Sequence, residues 1–334
     1  MILLRLNREN RTLKFGRSSC ICNRFGDVRT GKSRFRSCTK RKSRCGKGET
    51  ETVVKEIDIR GINSPYAILI QANDGAVIAS SRPDEAVYPA SITKVMSALV
   101  VLEHVKDLDR TCTIREDVIL DLCAEEASMA GFQPGEEVTV RDLLYGMLLP
   151  SGAECCETLA GLVGGTTEAF VEMMNEKAAF LGMESTCFRN TTGLFDPEHV
   201  STVRDLAVMM QYAIRNRAFR EIAGSASNTT APTNLHPEGL VLCSTLFNKL
   251  PDPTVTGGTI LGGKTGSTDE AKLCLASYAA IAGKEYILVT CGAELTGEPL
   301  HVYDALTLYN RVGEAVLYDR SRNYSSAKSV SITT

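Results

Sequence analysis

The segment from Tyr88 to Glu103 reads Tyr-Pro-Ala-Ser-Ile-Thr-Lys-Val-Met-Ser-Ala-Leu-Val-Val-Leu-Glu. Its long apolar run predicts a buried helix from Ser91 to His104. Residues three positions apart lie on one face of a helix, with their Cβ atoms about 5–6 Å apart. The predicted helix therefore brings the amine of Lys94 to the hydroxyl of Ser91.

A serine beside a lysine is a candidate pair of nucleophile and base. Serine reacts weakly unless an adjacent base takes its proton. Lys94 can be that base only while it is neutral, and burial or a second nearby cation lowers the pKa of a lysine. The spacing alone is not specific, because Ser37 and Ser325 also stand three residues before a lysine. Taken alone, Ser91 is more typical of a serine near a helix start than of a nucleophile.

A second candidate element is Lys264-Thr265-Gly266-Ser267, which follows two glycines and precedes a predicted strand. A cation, a hydroxyl and a glycine on an edge strand suit an extended ligand that carries a carboxylate. They offer charge, a hydrogen bond and room for close approach of backbone. Alone, the sequence Lys-Thr-Gly is also typical of a plain turn before a strand.

A third candidate element is Ser151-Gly152, which lies between the other two in sequence and directly before a predicted helix. In isolation, a serine at this place is typical of a helix cap or a turn. The order of the three elements, rather than any one of them, gives the chain its functional signal.

Together, the three elements resemble the Ser-x-x-Lys, Ser-x-Asn and Lys-Thr-Gly motifs of penicillin-binding proteins and β-lactamases. Residues 88–103 and 140–152 are similar to the corresponding segments of D-alanyl-D-alanine carboxypeptidases. Residues 174–183 and 190–194 are similar to that family in particular, and not to β-lactamases. The resemblance runs from about residue 65 to about residue 318.

The pattern along the chain places strands at both ends and helices between them. This predicts an α/β (α+β) fold in which one antiparallel sheet is built from both ends of the chain and a helical lobe is inserted. The resemblance implies the same β-lactamase/transpeptidase-like fold, an antiparallel sheet flanked by helices with an all-helical lobe. The predicted strands are 66–71, 76–80, 272–282 and 285–291, the predicted helices are 91–104, 140–149, 153–163, 168–181 and 203–216, and 224–260 is predicted as a long loop with short strands.

The resemblance implies a serine D,D-carboxypeptidase that removes the terminal D-alanine from peptidoglycan stem peptides through an acyl-enzyme, and that binds β-lactam antibiotics as inhibitors. Ser91 would attack the carbonyl, Lys94 would accept its proton, and Ser151 would relay that proton to the leaving D-alanine. The backbone N–H groups of Ser91 and Ser267 would form an oxyanion hole. The substrate-binding residues would be Lys264, Thr265, Gly266 and Ser267. No metal and no organic cofactor is implied.

The sequence departs from the family pattern at the second motif. Where an asparagine is expected, the chain has Ala153. Glu154 cannot simply replace the missing amide, because the next residue on a helix points about 100° away. Loss of one positioned hydrogen bond at an oxyanion-hole type of site can cost about 10²–10³ in rate, so we expect reduced activity or another group that supplies the contact.

The two ends of the chain differ in composition from the rest. Residues 1–48 carry 15 Lys and Arg against two acids, whereas the remainder carries 22 basic and 38 acidic residues. We therefore expect a basic, disordered or non-native leader over 1–55, a catalytic domain over 56–320 and a polar tail over 321–334. The chain shows no apolar stretch typical of a secretory signal or a membrane span. We expect no second β domain and no C-terminal anchor, while the resemblance implies an extracytoplasmic, secreted or wall-associated protein.

The chain has twelve cysteines, four of them in the basic leader. The spacing of these four is poor for a zinc ribbon or finger. The other eight are irregularly spaced in a long chain, which does not favour a disulfide framework. We expect most of the eight to be buried free thiols that pack as small apolar side chains.

Three alternatives stay open at this stage. A β-lactamase would share Ser91, Lys94 and Lys264 but would need a group that activates water, which we cannot place. A catalytically weakened protein that binds D-Ala-D-Ala wall peptides would account for Ala153. The basic leader could bind phosphates, although we expect no nucleic-acid partner. A Ser-His-Asp hydrolase is disfavoured, because the chain has no Gly-x-Ser-x-Gly elbow.

Overall fold

A computed structural model describes the backbone of residues 57–330 and the side chains of residues 57–318. The predicted leader over 1–55, with its four cysteines, and the last four residues of the predicted tail lie outside the described residues. Within the described chain, the last helix continues to Val330 and so runs through most of that tail. No helix of the described part is both long enough and apolar enough to cross a membrane.

The largest sheet has six strands, and each neighbouring pair in it is antiparallel. Its order is β2-β1-β10-β9-β8-β7, so that the first strand pairs with the last. This confirms the predicted sheet built from both ends of the chain. The strands are Tyr66–Gln71 (β1), Val77–Ser81 (β2), Thr111–Thr113 (β3), Glu137–Thr139 (β4), Ser227–Thr229 (β5), Val241–Cys243 (β6), Thr254–Val255 (β7), Gly258–Thr268 (β8), Lys272–Ile281 (β9) and Lys284–Ala293 (β10).

The helices between β2 and β5 form the inserted lobe, and their buried faces share one core with one side of the sheet. The predicted fold class is thereby confirmed. The helices are Thr93–His104 (α1), Glu116–Ala124 (α2), Val140–Leu148 (α3), Ala153–Gly164 (α4), Thr167–Leu181 (α5), Val203–Ala213 (α6), Arg217–Ala223 (α7) and Leu300–Val330 (α8), with short 3₁₀ turns at Ala90–Ile92 and Phe247–Lys249.

Helix α6 begins where the sequence predicts and ends earlier. The Thr202 hydroxyl accepts a hydrogen bond from Asp205 N at 3.1 Å, which caps the first turn. The predicted end at Asn216 is wrong because the Asn216 side chain caps a new helix, α7. Its Oδ1 accepts from the N–H groups of Ala218 at 2.9 Å and Phe219 at 3.2 Å.

Helix α8 covers the other face of the sheet and has no counterpart among the predicted elements. Its buried residues pack with residues of β8, β9 and β10 in a second core. Among them are Val302, Leu308, Tyr309 and Val312, each with no exposed surface. The sheet is therefore buried on both faces, which fixes its central strands.

The Asp304 carboxylate joins α8 to the chain that enters β1. It is 1% exposed, and Oδ1 accepts from Asn63 N at 2.7 Å and from Asn63 Nδ2 at 2.8 Å. Its Oδ2 accepts from Ser64 N at 2.8 Å and from Ser64 Oγ at 2.6 Å. Hydrogen bonds to a charged group are the stronger ones in proteins, so this carboxylate holds the start of the sheet on the last helix.

Replacement Asp304→Ala should lower the free energy of unfolding by about 2–4 kcal/mol, because it leaves buried N–H donors without an acceptor. Urea denaturation measures the change. The control is Asp84→Ala, which removes an exposed ion pair with Arg204 and should cost less than about 1 kcal/mol. Equal losses in the two variants would contradict the role given to Asp304.

Candidate active site

The turn that carries Ser91 is enclosed by two glycines. The serine lies in the 3₁₀ turn Ala90–Ile92, so the helix starts at Thr93 and not at Ser91 as predicted. A Cβ added to Gly193 would lie 1.9 Å from Ala90 O, and one added to Gly266 would lie 2.8 Å from Ser91 N. The 190–194 segment and strand β8 therefore press directly on the serine turn, and only glycine leaves the room they need.

The amine of Lys94 reaches the hydroxyl of Ser91, as the spacing predicts. Its Nζ lies 3.1 Å from Ser91 Oγ and donates to Thr192 O at 2.7 Å. The side chain is 2% exposed, and this burial lowers the pKa of Lys94 below 10.5, although the neighbouring Cys156 and Glu154 act in the opposite direction. The Ser91 hydroxyl is therefore hydrogen-bonded to an amine whose pKa is lowered, as a serine nucleophile and its base require.

Lys264 is a second buried amine of the same site. It is 1% exposed, and its Nζ donates to Thr265 O at 2.7 Å. Burial, and then the charge of Lys94, lowers the pKa of Lys264 well below 10.5. Lys264 is therefore the lysine whose pKa a second cation lowers, whereas for Lys94 burial alone has this effect.

The Lys264–Ser267 element lies inside strand β8, and not before a strand as the sequence predicts. Lys264 pairs with Ala276 of β9, and Ser267 pairs with Leu273. On the opposite edge, β7 pairs only with the first two residues of β8 in the described chain. The element therefore lies on an edge strand, with the Thr265 hydroxyl in a 2.6 Å hydrogen bond to that of Thr245.

Ser151 lies in a strained turn before α4. Its φ is +72°, a conformation that residues other than glycine rarely adopt. The side chain is 6% exposed, and Ser151 Oγ has no hydrogen-bond partner among the described residues. The turn closes through Gly152 N, which donates to Gly146 O at 2.8 Å. A buried hydroxyl without a partner is uncommon and requires an explanation.

Glu154 does not take the place of the missing asparagine amide. Its Oε1 accepts from Ala130 N at 2.7 Å, Gly131 N at 2.9 Å and Phe132 N at 3.4 Å. The carboxylate thus faces the 128–132 segment, and burial raises its pKa above 4.5. Ala153 itself has 1% exposure and offers only its backbone N–H, which donates to Ser128 O at 2.8 Å.

His199 contacts the start of the serine helix, and no pattern in the sequence predicts this contact. Its Nδ1 accepts from Arg189 N at 3.2 Å, so the neutral ring carries its proton on Nε2, 2.8 Å from Thr93 Oγ1. Burial lowers the pKa of His199 to about 4. A single histidine leaves no periodic pattern in the sequence, and its partner Thr93 lies 106 residues away in the chain.

The Asn190–Leu194 segment carries the acceptor of Lys94. Asn190 Oδ1 accepts from Gly193 N at 2.7 Å and from Thr192 N at 3.2 Å, which fixes the carbonyl that binds the lysine. In the sequence, this segment carries a family resemblance but no predicted role. Its signal was the glycine, which adopts a φ of +83° here.

A groove of about 780 Å³ adjoins these residues. Thr192, whose carbonyl accepts from Lys94, and Thr268, which follows the Lys264–Ser267 element in the chain, both line it. Its charged lining residues are Arg115, Asp117, Asp121, Glu125, Glu157, Arg189 and Asp196. A polar groove therefore lies beside the Thr192 end of the site.

The His, Cys, Asp and Glu side chains of the described residues form no candidate metal centre. Within the described chain, no group of three or more His, Cys, Asp or Glu side chains is arranged to hold a metal ion. Four of the eight cysteines of this part are buried, so the expectation that most of the eight are buried thiols is only partly met. The buried ones are Cys155, Cys156, Cys274 and Cys291.

Comparisons with known proteins show the family of the chain. Residues 51–295 match the family model described as D-alanyl-D-alanine carboxypeptidase. The chain is 32% identical to the carboxypeptidase DacF of Bacillus subtilis over 70% of this chain and 58% of DacF. It is 33% identical to DacB2 of Mycobacterium tuberculosis over 73% of this chain and 80% of DacB2.

The fold also matches solved structures. The crystal structure of a Streptomyces DD-transpeptidase aligns with a TM-score of 0.67 and 30% identity, covering 75% of this chain and 97% of that one. These comparisons confirm the resemblance drawn from the sequence. The chain spans less than two thirds of the length of DacF. It spans most of DacB2 and nearly all of the DD-transpeptidase chain.

The free energy of unfolding of the protein should depend on pH through His199. The unfolded chain takes up this proton near pH 6.5 and the folded chain only near pH 4, so the unfolded state binds more protons between these values. Stability should therefore fall as the pH drops from 6.5 to 4, by at most about 3 kcal/mol for this residue. Urea denaturation at several pH values measures the slope.

The matched variant is His199→Gln, which cannot take up the proton and should flatten that slope. His301 has a similarly lowered pKa of about 4 and should add a slope of the same sign in both proteins. A slope in His199→Gln equal to that of the parent would contradict the assignment.

Proposed function

Because this chain belongs to the D-alanyl-D-alanine carboxypeptidase family, we propose that it is a serine D,D-carboxypeptidase that removes the terminal D-alanine from peptidoglycan stem peptides. The observation that carries this proposal is the buried Lys94 amine, 3.1 Å from Ser91 Oγ. A nucleophile held in contact with a base of lowered pKa is what formation of an acyl-enzyme requires.

In the proposed first step, Ser91 Oγ attacks the carbonyl between the two D-alanines, and neutral Lys94 accepts the serine proton. The carbonyl oxygen gains negative charge in the transition state. The N–H groups of Ser91 and Ser267 are the proposed donors to that oxygen. The close approach of Gly266 to Ser91 supports this arrangement, because it brings β8 to the backbone of the serine.

Ser151 is the proposed relay that carries the proton to the leaving amine. Its hydroxyl is buried and has no partner in the described chain, which supports a role that begins only when substrate arrives. The bond to the terminal D-alanine then breaks, and the acyl group stays on Ser91. Water completes the cycle by releasing the shortened peptide.

The free edge of β8 is the proposed binding place for the extended peptide. A peptide that adds to a sheet edge gains main-chain hydrogen bonds, while neighbouring side chains select its ends. Lys264 and Thr265 would bind the terminal carboxylate, and Gly266 would allow close approach. A carboxylate beside Lys264 favours the charged form of this lysine. The polar groove beside Thr192 would receive the rest of the stem peptide.

β-Lactam antibiotics are proposed inhibitors of the same site, because they present an acylating carbonyl and a carboxylate in one molecule. We further propose that the protein acts outside the cytoplasmic membrane, where peptidoglycan lies. The support for both statements is family membership.

Incubation of the full chain with benzylpenicillin should add the mass of one penicillin, and Ser91→Ala should add none. Intact mass spectrometry measures the adduct. Release of D-alanine from a synthetic stem pentapeptide should be lost in the same variant. The control is Ser325→Ala, which alters another serine three residues before a lysine and should keep both activities.

An adduct on Ser91→Ala would place the nucleophile elsewhere. Hydrolysed penicillin without an adduct on the parent would indicate a β-lactamase. Intact penicillin without an adduct would favour a protein that binds wall peptides without cleaving them.

The rate of acylation by benzylpenicillin should rise with pH and level off below pH 10.5, because Lys94 must lose its proton and burial lowers its pKa. Lys94→Arg should slow acylation by about 10²–10⁴-fold, since arginine stays charged. Stopped-flow measurements across pH test both expectations. Lys272→Arg, a partly exposed change on β9, should leave the profile unchanged. A profile that falls with rising pH would exclude Lys94 as the base.

A further inference from the structure

Glu154 is a buried carboxylate that the proposed reaction does not use. It has no exposed surface and lies in the first turn of α4. One oxygen, Oε1, accepts the three backbone N–H groups of Ala130, Gly131 and Phe132, while Oε2 has no hydrogen-bond partner among the described residues. Burying a carboxylate is costly unless it is well hydrogen-bonded, so this side chain fixes the conformation of the segment it holds.

The 128–132 segment that Glu154 holds lies directly against the second motif. A Cβ added to Gly152 would lie 2.6 Å from Ala130 Cβ and 2.9 Å from Ala130 N. Ser128 O accepts the N–H of Ala153 at 2.8 Å. The segment therefore fills the space behind the turn of residues 151–153.

That turn has few restraints of its own. Ser151 holds a φ of +72°, which costs of order 1–3 kcal/mol for a residue other than glycine. Its hydroxyl makes no hydrogen bond within the described chain. Ala153 offers no side-chain amide that could brace the turn. The strained conformation must therefore be imposed by the surroundings: Gly146 O accepts the N–H of Gly152, and the 128–132 segment packs on the turn from behind.

We propose that Glu154 is a positioning residue that holds the 128–132 segment against the 151–153 turn and so keeps Ser151 in the conformation that serves proton transfer. This inference rests on the proposed function, because it acts through Ser151. Displacement of a reacting group by about 1 Å can cost about 10²-fold in rate. The carboxylate would thus take over, from behind the turn, a bracing role that Ala153 cannot fill.

The first test compares variants of two buried glutamates. Glu154→Ala should lower the rate of acylation of Ser91 by benzylpenicillin by about 10–100-fold, with a smaller change in KM than in kcat for D-alanine release. Glu154→Gln keeps an acceptor for the three N–H groups and should restore most of the rate. It also keeps the test valid if the alanine variant does not fold.

The matched control is Glu136→Ala. Glu136 is also fully buried and also holds a loop, accepting from Gln133 N at 2.8 Å and Thr233 Oγ1 at 2.6 Å. It should lower the melting temperature as Glu154→Ala does, while acylation stays near that of the parent. Equal losses of acylation in the two variants would reduce Glu154 to a general stabilising role and overturn the proposal.

The second test is a double-mutant cycle with Ser151→Ala. If Glu154 acts through Ser151, then Glu154→Ala should have no further effect on acylation once the Ser151 hydroxyl is gone. The two losses would multiply if Glu154 acted by another route, and that result would overturn the proposal.

Hydrogen exchange separates this inference from the proposed function. The amides of Ala130 and Gly131 should be protected in the parent and should exchange faster in Glu154→Ala, whether or not the protein reacts with penicillin. A parent that forms no adduct would refute the proposed function alone. Unchanged protection in the variant would refute the positioning role alone.

Discussion

The site depends on the burial of two lysine amines in one place. Taking an ammonium out of water is costly, and a second one beside it adds repulsion. Lys94 donates a hydrogen bond to the carbonyl of Thr192, and Lys264 donates one to the carbonyl of Thr265. Lys94 lies on α1 of the lobe and Lys264 on β8 of the sheet, so both amines are enclosed where these two elements meet. The junction of the lobe and the sheet is therefore the part of the molecule where the proposed chemistry is possible.

Tight backbone contacts maintain this junction. Gly193 and Gly266 lie against the serine turn from two sides, and Gly152 lies against the 128–132 segment. At each place an added Cβ would lie less than 3 Å from its nearest neighbour, so the backbone or that neighbour would have to move. Protein interiors transmit such strain because they are closely packed. The position of Ser91 is thus set by main-chain packing as much as by hydrogen bonds.

The sequence predicted the elements that have a local signal. The apolar run that predicts α1 and the patterns that predict β1 and β2 each depend on a few neighbouring residues, and the predicted bounds agree with the structure to within two residues. The contacts of Glu154 and His199 could not be predicted, because their partners lie elsewhere in the chain. Helix α8 is not among the predicted elements, because its sequence contains no short motif that marks a helix. Its buried face becomes evident only from the sheet on which it packs. The roles of the site residues rested on family resemblance.

The pairing of β1 with β10 has a consequence for biosynthesis. The ribosome delivers the first strand long before its partner, and Tyr66 cannot pair with Cys291 until almost the whole described chain has been made. Folds dominated by such distant pairings have high contact order and form slowly. The helices of the lobe make more local contacts and can begin to form before β10, the strand between β1 and β9, has been synthesised. Until that strand arrives, the apolar edges of the nascent sheet are exposed to aggregation.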